Sequence, residues 1–331
     1  YNLRSNMNGK VTDWLKMGTN ITLSYQQQSE AGYSTTSTGY YNPMNIASWC
    51  LPYAVPYEIL TDDNGNFIGY GEELDYISDI GMWNYFHRMD AQPSYNNTAR
   101  MNVNIYEEIT PIEGLTLRAV QAVDAMDYRY TGKVLPNDMG LTTLTEERFR
   151  RFYRITSTNT AEYKFMLGEK NHFNILGGHE SIITQDKSFG ASSQGQSDIR
   201  MTTVAQGTTA DMPTYSFSAT SQNSFFVRLS YDYDNKYYLD GTFRTDGSSL
   251  FGENNKYANF YSVGAMWNIK AEPFMQSATW LDNLQLKLSY GTMGNSGIDN
   301  YLAYGLTNSG LIYDGMVSWY LGSLSNQDLT W

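Results

Sequence analysis

The feature that most constrains the fold of this chain is an alternation of apolar and polar residues that recurs along its length. In one run, Phe225, Val227 and Leu229 alternate with Arg228 and Ser230. Successive side chains of a β-strand point to opposite faces, so each such run predicts a strand with one apolar and one hydrated face. Ten strands are predicted in this way, near residues 1–10, 15–28, 96–109, 115–131, 148–166, 172–188, 222–233, 236–246, 257–269 and 282–291.

The predicted strands are long, and the composition agrees with a chain made of strands and turns. Many runs exceed about 10 residues, whereas a soluble strand usually has about 5 or 6 and a tilted membrane-spanning strand about 9–11. Of the 331 residues, 28 are Tyr and 28 are Gly, while charged residues make up 17%. Tyr favours strands, Gly favours turns, and so few charges are unusual in a soluble globular protein. Length and composition together favour strands that cross a membrane.

The connectors between the predicted strands differ in length according to their position in the order. Connectors such as 167–171 and 234–235 are tight turns, whereas those in alternate positions are mostly longer and include 29–95, 131–147 and 189–221. An outer-membrane barrel has short periplasmic turns and long extracellular loops, whereas a soluble sandwich has no reason to sort its loops in this way. The sequence therefore predicts an all-β fold, an antiparallel transmembrane β-barrel segment of about ten or more strands. The connectors 29–95, 131–147 and 189–221 are its expected extracellular loops.

Charge and reactive residues argue against several other classes of function. A net charge of −12 argues against a nucleic-acid partner, which needs a basic surface. Cys50 is the one cysteine, so neither an internal disulfide nor a cysteine-based metal cluster is expected. The histidines His87, His172 and His179 do not form a His-Glu-x-x-His motif, and the adjacent carboxylate pairs lack the spacing of a glycosidase. We therefore expect no enzymatic activity, no bound metal and no cofactor.

The predicted loop 29–95 is the first candidate for a binding site. It contains thirteen aromatic residues, which a solvated tail would not carry, so this loop is expected to fold over the barrel mouth. Its aromatic rings could stack on sugar faces, or they could pack the loop against its neighbours, as aromatic rings more often do. The candidate substrate-contacting residues are Tyr40, Tyr41, Trp49, Tyr53, Trp83 and Tyr85.

A short acidic motif lies within the same loop. Residues 62–66 read Asp-Asp-Asn-Gly-Asn and resemble the start of a calcium loop, but no Glu follows at the offset that would close one. The interpretation we favour is a hairpin with a two-residue type I′ turn at Asn64 and Gly65. A bound surface cation is the alternative.

Inward-facing polar residues of the predicted strands are the second candidate site. They include Arg228, Asp240, Arg244 and Lys287. These side chains could line a hydrated path through the barrel, or they could simply pair their charges across neighbouring strands inside the lumen.

Two segments in the last third of the sequence resemble motifs of one protein family. The first reads Arg-Thr-Asp-Gly-Ser-Ser-Leu-Phe-Gly over residues 244–252, and the second reads Ser-Tyr-Gly-Thr-Met-Gly-Asn over 289–295. Residues 326–331 add Asn-Gln-Asp-Leu-Thr-Trp. The combination resembles the late barrel of SusC/RagA-type TonB-dependent transporters of Bacteroidetes, most strongly over residues 222–331. The residues that carry the resemblance are Arg244, Asp246, Gly247, Ser248, Ser249, Phe251, Gly252, Trp267, Ser289, Tyr290, Gly291, Gly294 and Asn295.

Most residues of these motifs are expected to have structural roles. The Asp-Gly pair at 246–247 is a turn signal, and the serines at 248–249 are expected to cap the reversed chain. Gly291 and Gly294 permit a bulge or a close approach of the backbone where the strand leaves the sheet. Trp267, near the short-turn end of its strand, fits an interfacial aromatic girdle.

The resemblance implies a function that the strand pattern alone does not. Members of this family import large nutrients, usually glycans and sometimes peptides, across the outer membrane. A SusD-like surface lipoprotein forms their lid, and energy arrives through TonB. The chain is accordingly expected to lie in the lipid bilayer of the outer membrane and to import a glycan oligosaccharide. A peptide importer of the RagA type, a passive porin and a surface binding protein are the alternatives.

The sequence also departs from a whole member of this family. No segment resembles the family's N-terminal plug domain or its TonB-contact segment. A plugged barrel of about 22 strands would need roughly twice this length. Residues 1–331 are therefore expected to be part of the barrel of a longer chain, which would contact TonB through a segment outside this one.

Overall fold

The computed structural model describes residues 1–31, 54–74, 76–77, 82–84, 92–136 and 142–331. Within these ranges the chain consists of β-strands, connecting loops and a few single turns of 3-10 helix. None of the helical turns in these ranges is long and apolar enough to cross a membrane. The strands are β1 (Asn2–Lys10), β2 (Leu15–Ala31), β3 (Tyr57–Thr61), β4 (Phe67–Glu73), β5 (Tyr76–Ile77), β6 (Met82–Trp83), β7 (Pro93–Ile112), β8 (Leu115–Val134), β9 (Leu144–Leu167), β10 (Asn171–Gln194), β11 (Thr209–Ala210), β12 (Thr214–Tyr233), β13 (Tyr237–Ser248), β14 (Tyr257–Asn268), β15 (Gln285–Gly291), β16 (Leu306–Tyr313) and β17 (Met316–Ser323).

One large antiparallel sheet contains most of these strands. Its order is β1-β2-β7-β8-β9-β10-β12-β13-β14-β15, and the two-residue strand β11 pairs with β10. The ten strands of this path correspond to the ten predicted strands, which confirms the all-β meander expected from the alternation. Three further pairs, β3 with β4, β5 with β6 and β16 with β17, form hairpins of their own.

The two ends of the sheet differ, and we call them the turn end and the loop end. At the turn end, β12 and β13 are joined by Asp234 and Asn235, which have positive φ angles of 51° and 55°. The N–H of Lys236 donates to the carbonyl of Tyr233 at 2.9 Å. Two successive left-handed residues are typical of a type I′ turn, whose twist matches that of the paired strands. The loop end carries the long connectors.

Two strands continue further toward the loop end than the alternation predicts. β10 runs to Gln194 and β12 begins at Thr214, so the predicted loop 189–221 starts and finishes within these strands. The reason is that main-chain pairing continues where the alternation of apolar and polar residues is lost, for example between 191–194 and 144–147. Periodicity marks only the part of a strand that has one apolar face.

The connector that contains the aromatic-rich loop is also slightly shorter than predicted. β2 ends at Ala31 and β7 begins at Pro93, compared with the predicted loop bounds of 29 and 95. The described part of this connector contains the hairpin of β3 and β4 and the short pair β5 and β6. Its backbone hydrogen bonds are therefore partly satisfied by strands of its own.

The turn between β3 and β4 differs from the predicted type. Gly65 has a φ of 81°, Asn64 does not have a positive φ, and the Gly65 N–H donates to the Asp62 carbonyl at 2.9 Å. The Asp62 carboxylate accepts the main-chain N–H groups of Asn64 and Asn66 at 2.9 and 2.8 Å. These bonds favour a type I turn followed by a left-handed glycine over the predicted type I′ turn. Hydrogen bonds from the side chain and N–H of Asn66 hold the pKa of Asp62 below its ordinary value of 3.8.

The register of the large sheet separates apolar and polar side chains. The name apolar face is used for the odd-numbered residues of β1, β2, β7 to β10 and β12 to β14 and for the even-numbered residues of β15. The name polar face is used for the other residues of these strands. Phe225 and Leu229 of the apolar face are 52% and 46% exposed. In the described ranges the buried hydrophobic residues are Leu250, Phe251 and Ala303 alone. Such an exposed apolar face fits a barrel wall against lipid, because a soluble domain would cover it.

Two rows of aromatic residues border the apolar face. In the turn-end row, Tyr163, Phe165, Phe173 and Tyr231 follow one another with ring centroids 5.3, 5.0 and 4.8 Å apart. The loop-end row consists of Phe149, Phe189, Tyr215 and Phe217. Aromatic girdles at both interfaces are typical of transmembrane barrels.

The distance between the two rows matches a bilayer. Phe173 and Phe189 both lie on β10, sixteen positions apart. With a rise of about 3.3 Å per residue and a strand tilt of about 40°, they are separated by about 40 Å along the membrane normal. A bilayer with its headgroups is about 40–45 Å thick. The turn-end and loop-end rows therefore fit its two interfaces.

Candidate functional site

The polar face of the large sheet carries charges of both signs on most of its strands. Most of these charges are held in ion pairs within one strand, between neighbouring strands or, for Arg244 and Glu180, across one intervening strand. The cationic members of the pairs are between 40% and 61% exposed, so water reaches them. The pairs are Lys16 with Glu108 (3.1 Å), Arg100 with Asp124 (2.7 Å), Arg150 with Asp186, Lys164 with Glu162 (3.1 Å), Arg228 with Asp240 (2.7 Å) and Arg244 with Glu180 (3.1 Å).

The first cluster on this face lies toward the turn end, on β9, β10, β12 and β13. Arg228 Nε donates to Asp240 Oδ2 at 2.8 Å, and the Ser230 hydroxyl donates to the same oxygen at 2.6 Å. On the adjoining strands, Asn174 Nδ2 donates to Glu162 Oε1 at 2.8 Å. The register brings these groups together because all of them occupy even positions on neighbouring strands.

The second cluster centres on Arg244 of β13. Its Nη2 donates to Glu180 Oε1 at 3.1 Å, and its Nε donates to Asp246 Oδ1 at 2.5 Å. The guanidinium also lies over the ring of Phe226, 5.4 Å from the centroid. A Cβ at Gly178 would lie 2.3 Å from Phe226 Cζ, so the glycine makes room for this ring beside it. The ring in turn supports the guanidinium, because an aromatic face attracts a cation.

This arrangement provides a hydrated wall with many hydrogen-bond donors and acceptors. A polar solute that passes along it can exchange hydrogen bonds with groups that are already paired and remain close to water. Paired charges of both signs also keep the local net charge small. Within the described ranges, His, Cys, Asp and Glu side chains form no group of three or more that could hold a metal ion.

The structure brings three of the four predicted polar residues into ion pairs. Arg228 pairs with Asp240, and Arg244 pairs across strands, as in the charge-pairing alternative. Lys287, on the polar face of β15, has no ion-pair partner in the part of the chain that is described. Residues of the same face that the sequence reasoning missed are Glu162, Asn174 and Glu180. Their even position in alternating strands is the signal that could have identified them.

At the loop end, the glycine-containing motif after β13 meets the C-terminal segment of the sequence. Phe251 is 1% exposed, and its ring centroid lies 4.6 Å from that of Trp331. The Gly252 N–H donates to the Leu329 carbonyl at 3.0 Å. A Cβ on Gly252 would lie 2.0 Å from the carbonyl oxygen of Gln327, so a glycine is needed for this approach. The two motifs are therefore halves of one contact, which the sequence alone did not predict.

The structure places the predicted turn at Asp246 and Gly247 inside a strand. Both residues belong to β13, where they pair with Ala258 and Tyr257 of β14, and the chain reverses only after Ser248. A Cβ on Gly247 would lie 2.4 Å from Tyr257 Cε1. The glycine thus allows an aromatic ring to cover the strand, a role that an Asp-Gly turn signal does not distinguish in the sequence.

The two serines after this strand bond to main-chain N–H groups. The Ser248 hydroxyl accepts the Leu250 N–H at 3.2 Å, and the Ser249 hydroxyl accepts the Ser221 N–H at 2.9 Å. Side-chain oxygens of Ser commonly satisfy backbone donors in this way where a chain reverses. Ser249 also ties the reversal to the neighbouring strand β12.

The second motif lies at the end of β15, where the strand leaves the sheet. Ser289 and Tyr290 belong to the strand, and Gly291 is its last residue. A Cβ on Gly291 or Gly294 would lie 2.9 or 2.5 Å from a neighbouring side chain, so both positions require close approach. Asn295 Oδ1 accepts a main-chain N–H two residues further on, at 2.9 Å, which starts the next turn.

Trp267 lies at the turn end beside a buried carboxylate. Its indole ring stacks near Tyr237 with centroids 6.4 Å apart. Glu272 is 8% exposed, and its Oε1 accepts the Tyr237 hydroxyl at 2.6 Å and Trp267 Nε1 at 3.1 Å. These hydrogen bonds, first from Tyr237 and then from Trp267, lower the pKa of Glu272. The Glu272 carboxylate thus holds the side chains of Tyr237 and Trp267 in place at the turn end.

The predicted substrate-contacting aromatic residues lie beyond what the structure describes. Trp83 belongs to β6, but its side chain is outside the described part. Their contact with substrate stays a prediction. Tyr57, Phe67 and Tyr70 of the neighbouring hairpin form an exposed aromatic group, with Tyr70 6.2 Å from Tyr57 and 5.1 Å from Phe67. The predicted residues outside the described ranges are Tyr40, Tyr41, Trp49, Tyr53 and Tyr85.

Comparison with known proteins shows which proteins this chain is similar to. No protein-family model matches the sequence. TonB-dependent receptor P26 of Formosa agariphila is 29% identical over 100% of the chain, and TonB-dependent receptor SusC of Bacteroides thetaiotaomicron is 38% identical over 81 residues, 24% of the chain and 8% of SusC. The solved structure of the RagAB peptide transporter matches 99% of the chain with a TM-score of 0.83 and 31% identity. Over its whole length the chain resembles the barrel of SusC/RagA-type TonB-dependent receptors.

The chain spans about a third of the length of these relatives. It covers 33% of receptor P26 and 36% of the matched RagAB chain. The match confirms the resemblance carried by the motifs and the barrel expected from the strands. The relatives are receptors and transporters, which agrees with the expectation that the chain is not an enzyme.

Proposed function

We propose that this segment forms part of the wall of an outer-membrane barrel that imports a large hydrophilic nutrient in a TonB-dependent manner. The observation that carries the proposal is the separation of an exposed apolar face from a polar face with paired charges. If the apolar face lies against lipid, the polar face lines the interior, as in known outer-membrane barrels. The loop end then faces the cell exterior, and the turn end faces the periplasm.

The polar face suits passage better than tight binding. Conduction requires sites that a solute enters readily and also leaves readily. The carboxylates of Asp240 and Glu180 already accept hydrogen bonds from arginines, so a solute must compete for them rather than fill an empty site. Each contact is therefore weak, and the number of contacts along the wall provides the overall attraction.

The proposed partners are a SusD-like lipoprotein at the loop end and TonB, contacted through a segment outside this chain. Similarity to SusC and to RagAB supports both partners. The hairpin of β16 and β17 follows β15 at the loop end and exposes large apolar residues, including Ile312 at 75% and Trp319 at 73%. Exposed apolar patches of this kind are typical of protein–protein contact surfaces.

Two substrate classes are candidates. A glycan oligosaccharide is the first, because it follows from the family resemblance in the motifs. A peptide is the second, and the similarity of nearly the whole chain to the RagAB peptide transporter favours it. The fixed charges of both signs on the polar face also suit the charged termini and side chains of peptides.

Uptake assays test the proposal and separate its alternatives. Cells with and without the receptor gene are offered labelled oligosaccharides and labelled peptides of matched size, before and after deletion of the TonB gene. We expect uptake of one class that requires both genes. Uptake that survives loss of TonB would indicate a passive porin and contradict the proposal. Surface binding without uptake would indicate a binding protein.

A further inference from the structure

Two cationic side chains face each other on the apolar side of the sheet, near its loop end. Arg151 of β9 and Lys187 of β10 are direct partners in the strand register. Both side chains are exposed, Arg151 to 57%. Like charges directly opposite each other destabilise a strand pair unless an anion offsets them. Their position therefore calls for a negatively charged group beside them.

The protein itself offsets only one of the two charges. Arg151 donates to the carboxylate of Asp127 on β8, with Nε and Nη2 2.7 and 3.0 Å from its oxygens. Lys187 has no carboxylate partner within the described residues, and its Nζ lies 5.6 Å from the ring centroid of Tyr215. Next to them, the Arg129 guanidinium and the Glu147 carboxylate form an ion pair 2.9 Å long, so their charges cancel. The row of Asp127, Arg151 and Lys187 keeps one net positive charge.

The row lies at the depth of lipid headgroups. Lys187 is two positions before Phe189, a member of the loop-end aromatic row. From the spacing of the two aromatic rows, about 40 Å, this row falls at the interface of the bilayer rather than within its hydrocarbon core. Basic side chains at this depth attract anionic lipids.

An apolar groove begins beside the cationic row. The residues that line it include Ala99, Ala125, Leu23, Met101 and Tyr153. Its volume is about 370 Å³, and Asp127 and Arg151 line it on the side of the loop end. A charged rim above an apolar groove matches a ligand that has an anionic head and a hydrocarbon tail.

We propose that Arg151 and Lys187 bind the phosphate group of a phosphorylated membrane lipid, with an acyl chain of the lipid in the groove. Arginine can contact phosphate oxygens through two N–H groups, and lysine adds a point charge. The lipid belongs to the leaflet at the loop end. This inference rests on the membrane placement in the proposed function, but not on the identity of the imported nutrient.

The test measures lipid binding by the full-length receptor. The purified, delipidated receptor in detergent is titrated with diphosphoryl lipid A, and bound lipid is counted by native mass spectrometry. Variant Lys187→Gln should weaken binding about fivefold, the effect of one basic residue at a membrane surface. Variant Asp127→Asn frees Arg151 and should strengthen binding. The matched control is Arg154→Gln, on the polar face of β9, which should leave binding within about twofold of wild type, because its side chain lies on the other face of the sheet.

The result that supports the proposal is therefore a weakening by Lys187→Gln and a strengthening by Asp127→Asn. Equal binding by wild type and Lys187→Gln would overturn it, and so would equal binding of lipid A from which the phosphates have been removed. Displacement of the lipid by millimolar inorganic phosphate would assign the site to the free anion instead and also overturn it. Membrane insertion and uptake are measured separately on the same proteins. A negative lipid result with normal insertion counts against the lipid site alone.

Discussion

The ring of Phe251 lies against the ring of Trp331, with their centroids 4.6 Å apart and their planes inclined by 30°. Trp331 also meets the ring of Phe260 at 5.7 Å, and its Nε1 donates to the carbonyl of Lys256 at 3.3 Å. These contacts form a small hydrophobic core at the loop end of a sheet whose apolar face is otherwise exposed. The core attaches the C-terminal segment to the connector after β13.

Replacing Phe251 should detach this segment. Truncating a buried Phe to Ala costs about 3–5 kcal/mol, and here the cost falls on a local contact rather than on the whole sheet. In Phe251→Ala, the N–H groups of Gly252 and Asn254, which donate to carbonyls of the C-terminal segment, should exchange with solvent at least about tenfold faster. Hydrogen exchange with mass spectrometry checks this. Phe274→Ala, at a residue 64% exposed, is the control, and equal exchange in both variants would contradict the local core.

Adding a methyl group at Gly252 should disturb the packing of the connector after β13 against the C-terminal segment. Gly252 has a φ of −61°, which Ala adopts without strain, so any effect comes from space alone. Because the new Cβ would lie 2.0 Å from Gln327 O, Gly252→Ala should destabilise the connector by about 1–3 kcal/mol. The control is Gly241→Ala, whose Cβ would meet no atom within 4 Å. Limited proteolysis of the loop end should distinguish them, and equal cleavage would count against the steric reason.

The pair of Arg228 and Asp240 should show a measurable coupling that salt weakens. Its partners are 56% and 36% exposed, so we expect about 0.5–1 kcal/mol from a double-mutant cycle of Arg228→Gln and Asp240→Asn. The charge-exchanged double variant should recover part of the loss. Urea unfolding in low and high salt measures both effects. A coupling that does not fall in high salt would show that the pair acts through packing rather than charge.

Glu272 should make the turn after β14 sensitive to acid. Hydrogen bonds from Tyr237 and Trp267 lower the pKa of Glu272 below its ordinary value of 4.5. A carboxylate with a lowered pKa contributes stability above the ordinary value and loses that contribution as the pH falls through the lowered one. Protection of residues 269–284 from hydrogen exchange, corrected for the intrinsic pH dependence, should therefore hold from neutral pH to about 4.5 and decline below it. Glu272→Gln should reduce the protection at neutral pH and remove most of this decline. An unchanged acid profile would contradict the role of Glu272.

The strands and their two faces were predictable from the sequence because a bilayer imposes its own pattern. Phe225, Val227 and Leu229 had to alternate with polar residues if one side meets lipid and the other meets water. The alternation of apolar and polar residues along β10 ends at the loop-end aromatic row. Beyond Phe189 the strand β10 continues with small and polar residues on both sides, so no alternation marks its last five residues.

The partners within the candidate site depend on register, which the sequence does not reveal at long range. Arg244 meets Glu180, 64 positions away, because β10, β12 and β13 are aligned residue by residue. A shift by one residue would place the two charges on opposite faces. The contact of Phe251 with Trp331 was hidden for a different reason. Both residues follow strand ends, where neither helix nor strand periodicity constrains the partner.

The order of strands in the large sheet has a consequence for how the wall is assembled. Apart from the two-residue strand β11, each strand of the path pairs with the strand of the path that precedes it in the sequence. The step from β2 to β7 is longer, but each doubling of a loop adds only about 0.6 kcal/mol to its closure. Pairing between strands that are close in the sequence keeps the contact order low, which favours rapid folding. Each added strand meets the exposed edge of its neighbour in the path, so the wall can grow hairpin by hairpin without a crossover.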